Sequence, residues 1–130
     1  LEAARVEPST GFQTQLLSYP TDKLFRPGTA ELSPAGKALL RELVPELKGA
    51  TEIVVACYTD STPVKTNRDK YPTNWELAAA RASAVVRFFI EEGVPPEKLS
   101  AVSYGDTRPV APNSTPEGQA QNRRLEIRVR

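Results

Sequence analysis

Residues 74–91 carry apolar side chains at helical spacing, and one arginine stands among them. Laid out at roughly 100° per residue, Leu77, Ala78, Ala82, Ala84, Val85, Val86, Phe88 and Phe89 fill one wide arc. Glu76, Ser83, Arg87 and Glu91 take the other side, whereas Arg81 falls inside the apolar arc between Phe88 and Val85. Such a helix must lie against a sheet or another helix, and it carries a guanidinium in with it. Burying an unpaired charge is too costly, so Arg81 must be paired or must line a pocket. Asp60, at the end of the preceding predicted strand, is the nearest partner by topology.

The punctuation around this helix predicts its neighbours. Thr73 followed by Glu76 is a capping box that starts the helix, and Gly93 with Pro95 and Pro96 beyond it ends the run near Glu92. Ile53–Tyr58 is apolar without alternation, the pattern of a strand buried on both faces. Leu99–Tyr104 is the next strand, and strand, helix, strand at this spacing predicts a right-handed parallel unit. Ser33 and Pro34 open an earlier helix with a buried stripe of Leu39, Leu40, Leu43 and Leu47, which Pro45 should kink or end near Val44. Phe12–Leu17 alternates weakly as a strand. Arg124–Arg130 alternates throughout, with Leu125, Ile127 and Val129 inward and Arg124, Glu126, Arg128 and Arg130 outward.

Residues 19–30 and 105–122 read as loops. So does the basic stretch 61–72, whose Lys65, Arg68 and Lys70 are expected to be solvated. The expected fold is α+β: a βαβαβ-type two-layer sandwich with a mixed four-stranded sheet and helices packed on one side. Residues 1–10 show no period and read as a linker or docking arm, and residues 11–130 as one domain.

Composition narrows the function. The 130 residues carry a net charge of +1, so no strong field draws the chain to nucleic acid or to a membrane surface. A sheet that binds RNA also needs exposed aromatic residues, and none alternates with Arg124, Arg128 and Arg130. No apolar stretch is long enough to span a bilayer, so a membrane would be reached only through a part of the parent protein outside this segment. The chain has no histidine and one cysteine, Cys57. The commonest general base and metal ligand is therefore absent, and no zinc site can be built. No phosphate-binding glycine loop is present. Neither an enzyme, a metal nor a cofactor is expected, and Cys57 reads as a small buried side chain.

A constellation at strand and helix ends remains. Thr59, Asp60 and Ser61 leave the buried strand where ligands of open sheets settle. Asn74, Leu77 and Arg81, spaced i, i+3 and i+7, share a helix face directed to that end. Asp60 would meet an ammonium, Arg81 would grip a carboxylate through two hydrogen bonds, and Asn122, Arg123 and Arg124 could add a donor. The residues alone leave a second reading open, in which Asp60 and Arg81 neutralise each other. Trp75 reads as a core or staple contact at the helix start.

Six segments together resemble one family. They are Leu24–Ser33 (LFRPGTAELS), Tyr58–Ser61 (YTDS), Asn74–Leu77 with Ala80–Ala82 (NWEL, ARA), Tyr104–Asp106 (YGD), Asn113–Gly118 (NSTPEG) and Asn122–Ile127 (NRRLEI). In this order they resemble the OmpA-like C-terminal domain shared by OmpA, peptidoglycan-associated lipoprotein and the MotB stator protein.

The resemblance implies non-covalent binding of peptidoglycan through the diaminopimelate of its stem peptide, anchoring a cell-envelope protein in the periplasm. It places the ligand's charged ends on Asp60 and Arg81. Asn74 and Leu77 match positions lining that pocket, and Arg124 matches the second arginine of the Asn-Arg-Arg motif. The implied ligand-binding set, with the strand-end residues, is Thr59, Asp60, Ser61, Asn74, Leu77, Arg81 and Arg124.

Two features depart from the family. Cys57 stands where glycine is frequent, and the loop between Asp60 and Arg81 is longer than in the porin form. The Asn-Trp-Glu-Leu ending of that loop is closer to stator-type proteins. A parent of that type would imply a homodimer and an upstream membrane helix. The alternative function is then a periplasmic dimerisation or interaction domain in which the Asp60–Arg81 pair is mainly structural.

Overall fold

The last strand of the chain lies in the middle of the sheet. A computed structural model describes the backbone of residues 4–9 and 12–130 and the side chains of residues 14–130. The strands are β1 (Ala4–Ser9), β2 (Phe12–Pro20), β3 (Ile53–Tyr58), β4 (Leu99–Gly105) and β5 (Arg124–Val129), in the spatial order β1-β2-β5-β3-β4. β5 pairs antiparallel with both β2 and β3, whereas β3 and β4 run parallel. The four expected strands form this mixed sheet, and β1 adds a fifth at its edge. β1 lies within the segment read as a linker or docking arm, and residues 1–3, 10 and 11 fall outside the described residues. Pro8 sits in β1, the edge position at which a strand tolerates a residue without an N–H.

The helices are α1 (Thr21–Leu24), α2 (Pro34–Arg41), α3 (Val44–Lys48), α4 (Asn74–Glu91) and α5 (Pro116–Asn122). The Ser33 side chain caps α2 by accepting from the Gly36 amide at 3.0 Å. Pro45, which cannot donate a ladder bond, divides the leucine-rich helix into α2 and α3 as expected. Thr73 and Glu76 cap α4 reciprocally, with the Thr73 amide donating to Glu76 Oε1 at 2.8 Å. Two short helices lie where the sequence reads as loop. β2 runs on to Pro20 and leads straight into the four residues of α1, and α5 is capped by the Thr115 side chain. Neither has the apolar stripe on which periodicity depends.

One core holds the layers together. Leu17 and Tyr19 of β2, Ile53, Val55 and Cys57 of β3, and Leu125 and Ile127 of β5 are fully buried. They meet Leu40 and Leu43 from the α2 region, Leu47 of α3, and Ala78, Ala82, Val85 and Phe89 of α4. α4 crosses β3 and β4, so the βαβ unit brings its apolar arc onto the sheet. The inward residues of β5 are those its alternation predicts. Trp75 departs from expectation: it is 47% exposed and lies over Gly105 instead of entering the core.

Close approach sets one glycine. Gly36 packs against the α1 backbone so tightly that an added Cβ would stand 2.3 Å from the Leu24 carbonyl oxygen. Gly36→Ala is therefore expected to destabilise the fold by about 1–3 kcal/mol through overpacking, read as a lower urea midpoint. Burial pushes the Cys57 thiol from its ordinary 9.0 up to about 12. A raised folded pKa means that stability is complete below pH 9.0 and declines as pH rises toward 12. At pH 8 the native chain should resist iodoacetamide, and the same chain in urea should be alkylated rapidly. Fast labelling of the native protein would contradict this burial.

Candidate functional site

β3, α1 and α4 converge on a cavity of about 330 Å³. Thr59, Asp60, Asn74, Leu77 and Arg81 of the expected set line it, together with Thr21, Asp22, Phe25, Lys65 and Arg123. The parallel β3–α4–β4 unit accounts for the meeting. Asp60 leaves the end of β3, and the Thr59 amide is tied to the Gly105 carbonyl at the end of β4 at 2.8 Å. α4 starts above that end, so Asn74, Leu77 and Arg81 on one helix face look onto it. Asn74 fastens the loop between them, its side-chain amide donating to the carbonyl of Thr62 at 3.0 Å and to that of Asp60 at 3.4 Å.

Asp60 and Arg81 are held by different partners. The Asp60 carboxylate accepts from the Thr62 amide at 2.8 Å and from Arg123 Nη1 at 2.6 Å. Arg81 donates through Nε to the Thr29 carbonyl at 2.8 Å, and its guanidinium carbon lies 5.1 Å from the centre of the Phe25 ring. Among the described residues no ion pair joins Asp60 to Arg81, and the Nη atoms of Arg81 bond to no protein group. Burial pulls the Arg81 guanidinium below its ordinary pKa. A charge under that penalty gains most from a carboxylate that meets it with two parallel hydrogen bonds. Two carboxylates, Asp22 and Asp60, and three cations, Lys65, Arg81 and Arg123, line the cavity. It can therefore take a group bearing both charges, with the carboxylate end favoured.

Ser61 and Arg124 do not line this cavity. Ser61 is exposed, and its amide donates to Asn113 Oδ1 at 3.2 Å. Arg124 lies on the other face of the sheet, with its guanidinium carbon 3.7 Å from the centre of the Tyr58 ring and Nε 2.8 Å from Glu126 Oε2. The reason is the entry into β5: successive side chains at a strand point to opposite faces, so Arg123 reaches the cavity and Arg124 cannot. Asn122 is fully buried and accepts from the amides of Val110 and Ala111 at 2.8 and 3.0 Å, which pins the loop before α5. Lys65 is exposed, as its reading as a solvated residue expects, and also stands on the cavity wall.

Arg123 is the largest addition to the site. Its guanidinium bridges Asp60 and Asp22, with Nη2 3.1 Å from Asp22 Oδ2. These bonds, Asp22 first, hold its pKa above the ordinary value. The alternation of β5 was a usable signal for Arg123. Nothing local marks Asp22, whose partner lies 101 residues away.

The model of the OmpA family matches residues 24–123, which include Asp60, Arg81 and Arg123. The chain belongs to the OmpA family. It is 34% identical over 119 residues to motility protein B of Helicobacter pylori, covering 88% of this chain and 46% of that protein. It is also 34% identical over 102 residues to the peptidoglycan-binding protein ArfA of Mycobacterium bovis, covering 77% of this chain and 29% of that one. Among solved structures, the cell wall anchor of the T6SS from Pseudomonas aeruginosa superposes with a TM-score of 0.84 at 31% identity. That match covers 97% of this chain and 86% of the other. The chain thus spans less than half the length of these two curated relatives.

The OmpA-family cavity yields a stability test. Arg123→Ala leaves the buried Asp60 carboxylate without its cation and should cost about 1–3 kcal/mol. Asp22 is 59% exposed at its side chain, so Asp22→Ala should cost less than about 1 kcal/mol. Urea denaturation of the two variants checks the order, and equal losses would show that Asp60 does not depend on Arg123.

Proposed function

We propose that this domain binds peptidoglycan without a covalent bond, through the diaminopimelate of the stem peptide, and so anchors a cell-envelope protein to the cell wall. One observation carries the reading: Asp60 and Arg81 share a cavity while each is fastened to a different partner. Diaminopimelate ends in an ammonium and a carboxylate on one carbon. The ammonium would lie on the free lone pairs of Asp60, since a carboxylate offers about four acceptor sites and two are taken. The carboxylate would lie across the Nη atoms of Arg81. Thr59, Asn74 and Leu77 would shape the walls, and Arg123 would keep Asp60 in place. The proposed role is binding.

The family membership supports the wall as partner, as do a peptidoglycan-binding relative and a cell-wall-anchor structure. We place the domain in the periplasm, with the parent protein attached to the inner or the outer membrane. Among the described residues no helix is long and apolar enough to cross a membrane. The similarity to motility protein B favours a second reading, a dimerisation or interaction domain of a stator-type protein. That reading makes the Asp60–Arg81 pair structural, and the two side chains do not bond to each other.

The test is co-sedimentation with purified sacculi. The unaltered domain should pellet, whereas Asp60→Ala and Arg81→Ala should each remain in the supernatant with a largely unchanged thermal transition. Free diaminopimelate should bind weakly to the unaltered domain alone. Pelleting by both variants would overturn the assignment. A domain that self-associates but never pellets would establish the second reading.

A further inference from the structure

Trp75 is the only tryptophan of the chain, and it is poised over a second cavity that the proposed function leaves unused. This cavity measures about 300 Å³ and shares Pro63, Val64 and Asn74 with the first. Those three residues belong to both walls. Its remaining wall includes Trp75, Arg68 and Asp106.

The indole is held flat. Gly105 lies beneath it: an added Cβ there would stand 3.3, 3.4 and 3.5 Å from ring atoms Cδ2, Cγ and Cε2. Three near-equal distances place the glycine under the ring face and not at its edge. The residue is 47% exposed and lines the second cavity. Gly105 also has φ +56°, a left-handed conformation that favours glycine, so the backbone and the ring contact require the same residue. The backbone of Trp75 is pinned at both ends. Its amide donates to Thr73 Oγ1 at 3.2 Å, and its carbonyl accepts from Ser103 Oγ at 2.9 Å. An exposed aromatic of this size, backed by glycine and fixed by its own backbone, loses little conformational freedom when a ligand covers it.

We propose that Trp75 is the platform of a sugar subsite, on which a pyranose ring of the wall glycan lies while the stem peptide occupies the first cavity. A pyranose presents a face of C–H bonds and a rim of polar groups. The indole face suits the first, and Arg68, Asp106 and Asn74 suit the second. A purely apolar occupant would leave that carboxylate and guanidinium without use. The inference rests on the proposed peptidoglycan reading, because the stem peptide of that polymer branches from a sugar and the two cavities share Pro63, Val64 and Asn74 in their walls.

The experiment compares two soluble ligands by calorimetry: a disaccharide carrying its stem peptide, and the same peptide released from its sugar. Trp75→Ala should bind the sugar-bearing ligand roughly tenfold more weakly and the free peptide unchanged, and Trp75→Phe should restore most of the loss. In the unaltered domain, fluorescence comes from Trp75 alone among tryptophans and should shift with the sugar-bearing ligand but not with the peptide. This second readout needs no variant. Equal affinities of Trp75→Ala and the unaltered domain for the sugar-bearing ligand would overturn the subsite. So would equal losses for both ligands, or a change only in self-association. Failure of the unaltered domain to bind either ligand would overturn the underlying peptidoglycan reading instead.

Discussion

The ion pair between Arg123 and Asp60 ties the site to the fold. It spans 2.6 Å between the end of β3 and the entry to β5, so it exists only because the last strand is inserted beside the third. Arg123 extends the tie to Asp22 in α1, joining three parts of the chain at one guanidinium. Without this bridge Asp60 would be a buried carboxylate facing a buried guanidinium, and the shortest way to neutralise both would be to join them. With it, Asp60 is satisfied from the side and Arg81 keeps its Nη atoms open to the cavity.

The same arrangement reconciles burial with binding. A pocket for a zwitterion must hold both charges ready, yet desolvated charges are costly unless paired. Here the cost is met on each side by groups other than the ligand: an amide and a guanidinium for Asp60, a backbone carbonyl and an aromatic ring for Arg81. On the outer face of the sheet a parallel device stabilises Arg124, which stacks on Tyr58 and pairs with Glu126. The two arginines at the entry to β5 thus serve opposite faces, one at the cavity and one buried on the other side of the sheet.

Much of this was legible in the residues. The apolar arc of α4, the capping box at Thr73 and Glu76, the proline break between α2 and α3, and the alternation of β5 all act within a turn or a strand. Their consequences appear where their pattern lies. The same logic brought Asn74, Leu77 and Arg81 to the cavity, because helical spacing alone puts them on one face. The helices α1 and α5 escaped because they are short and have no apolar stripe, although Thr115 and Pro116 carry the same start signal as Ser33 and Pro34. Trp75 was misjudged because hydrophobicity argues for the core, and only the glycine opposite it decides that the ring lies on the surface.

By itself the sequence determined the family, the principal helices and strands, and the presence of a buried guanidinium seeking a partner. Tertiary structure alone decided what that guanidinium faces, which of two adjacent arginines enters the cavity, and that Asp22 completes the charge bridge. Periodicity and capping act over a few residues, so they can be read along the chain. Asp60 meets Arg123 across 63 positions and Asp22 meets it across 101, and such contacts are set by the order of strands in the sheet, which no local pattern encodes.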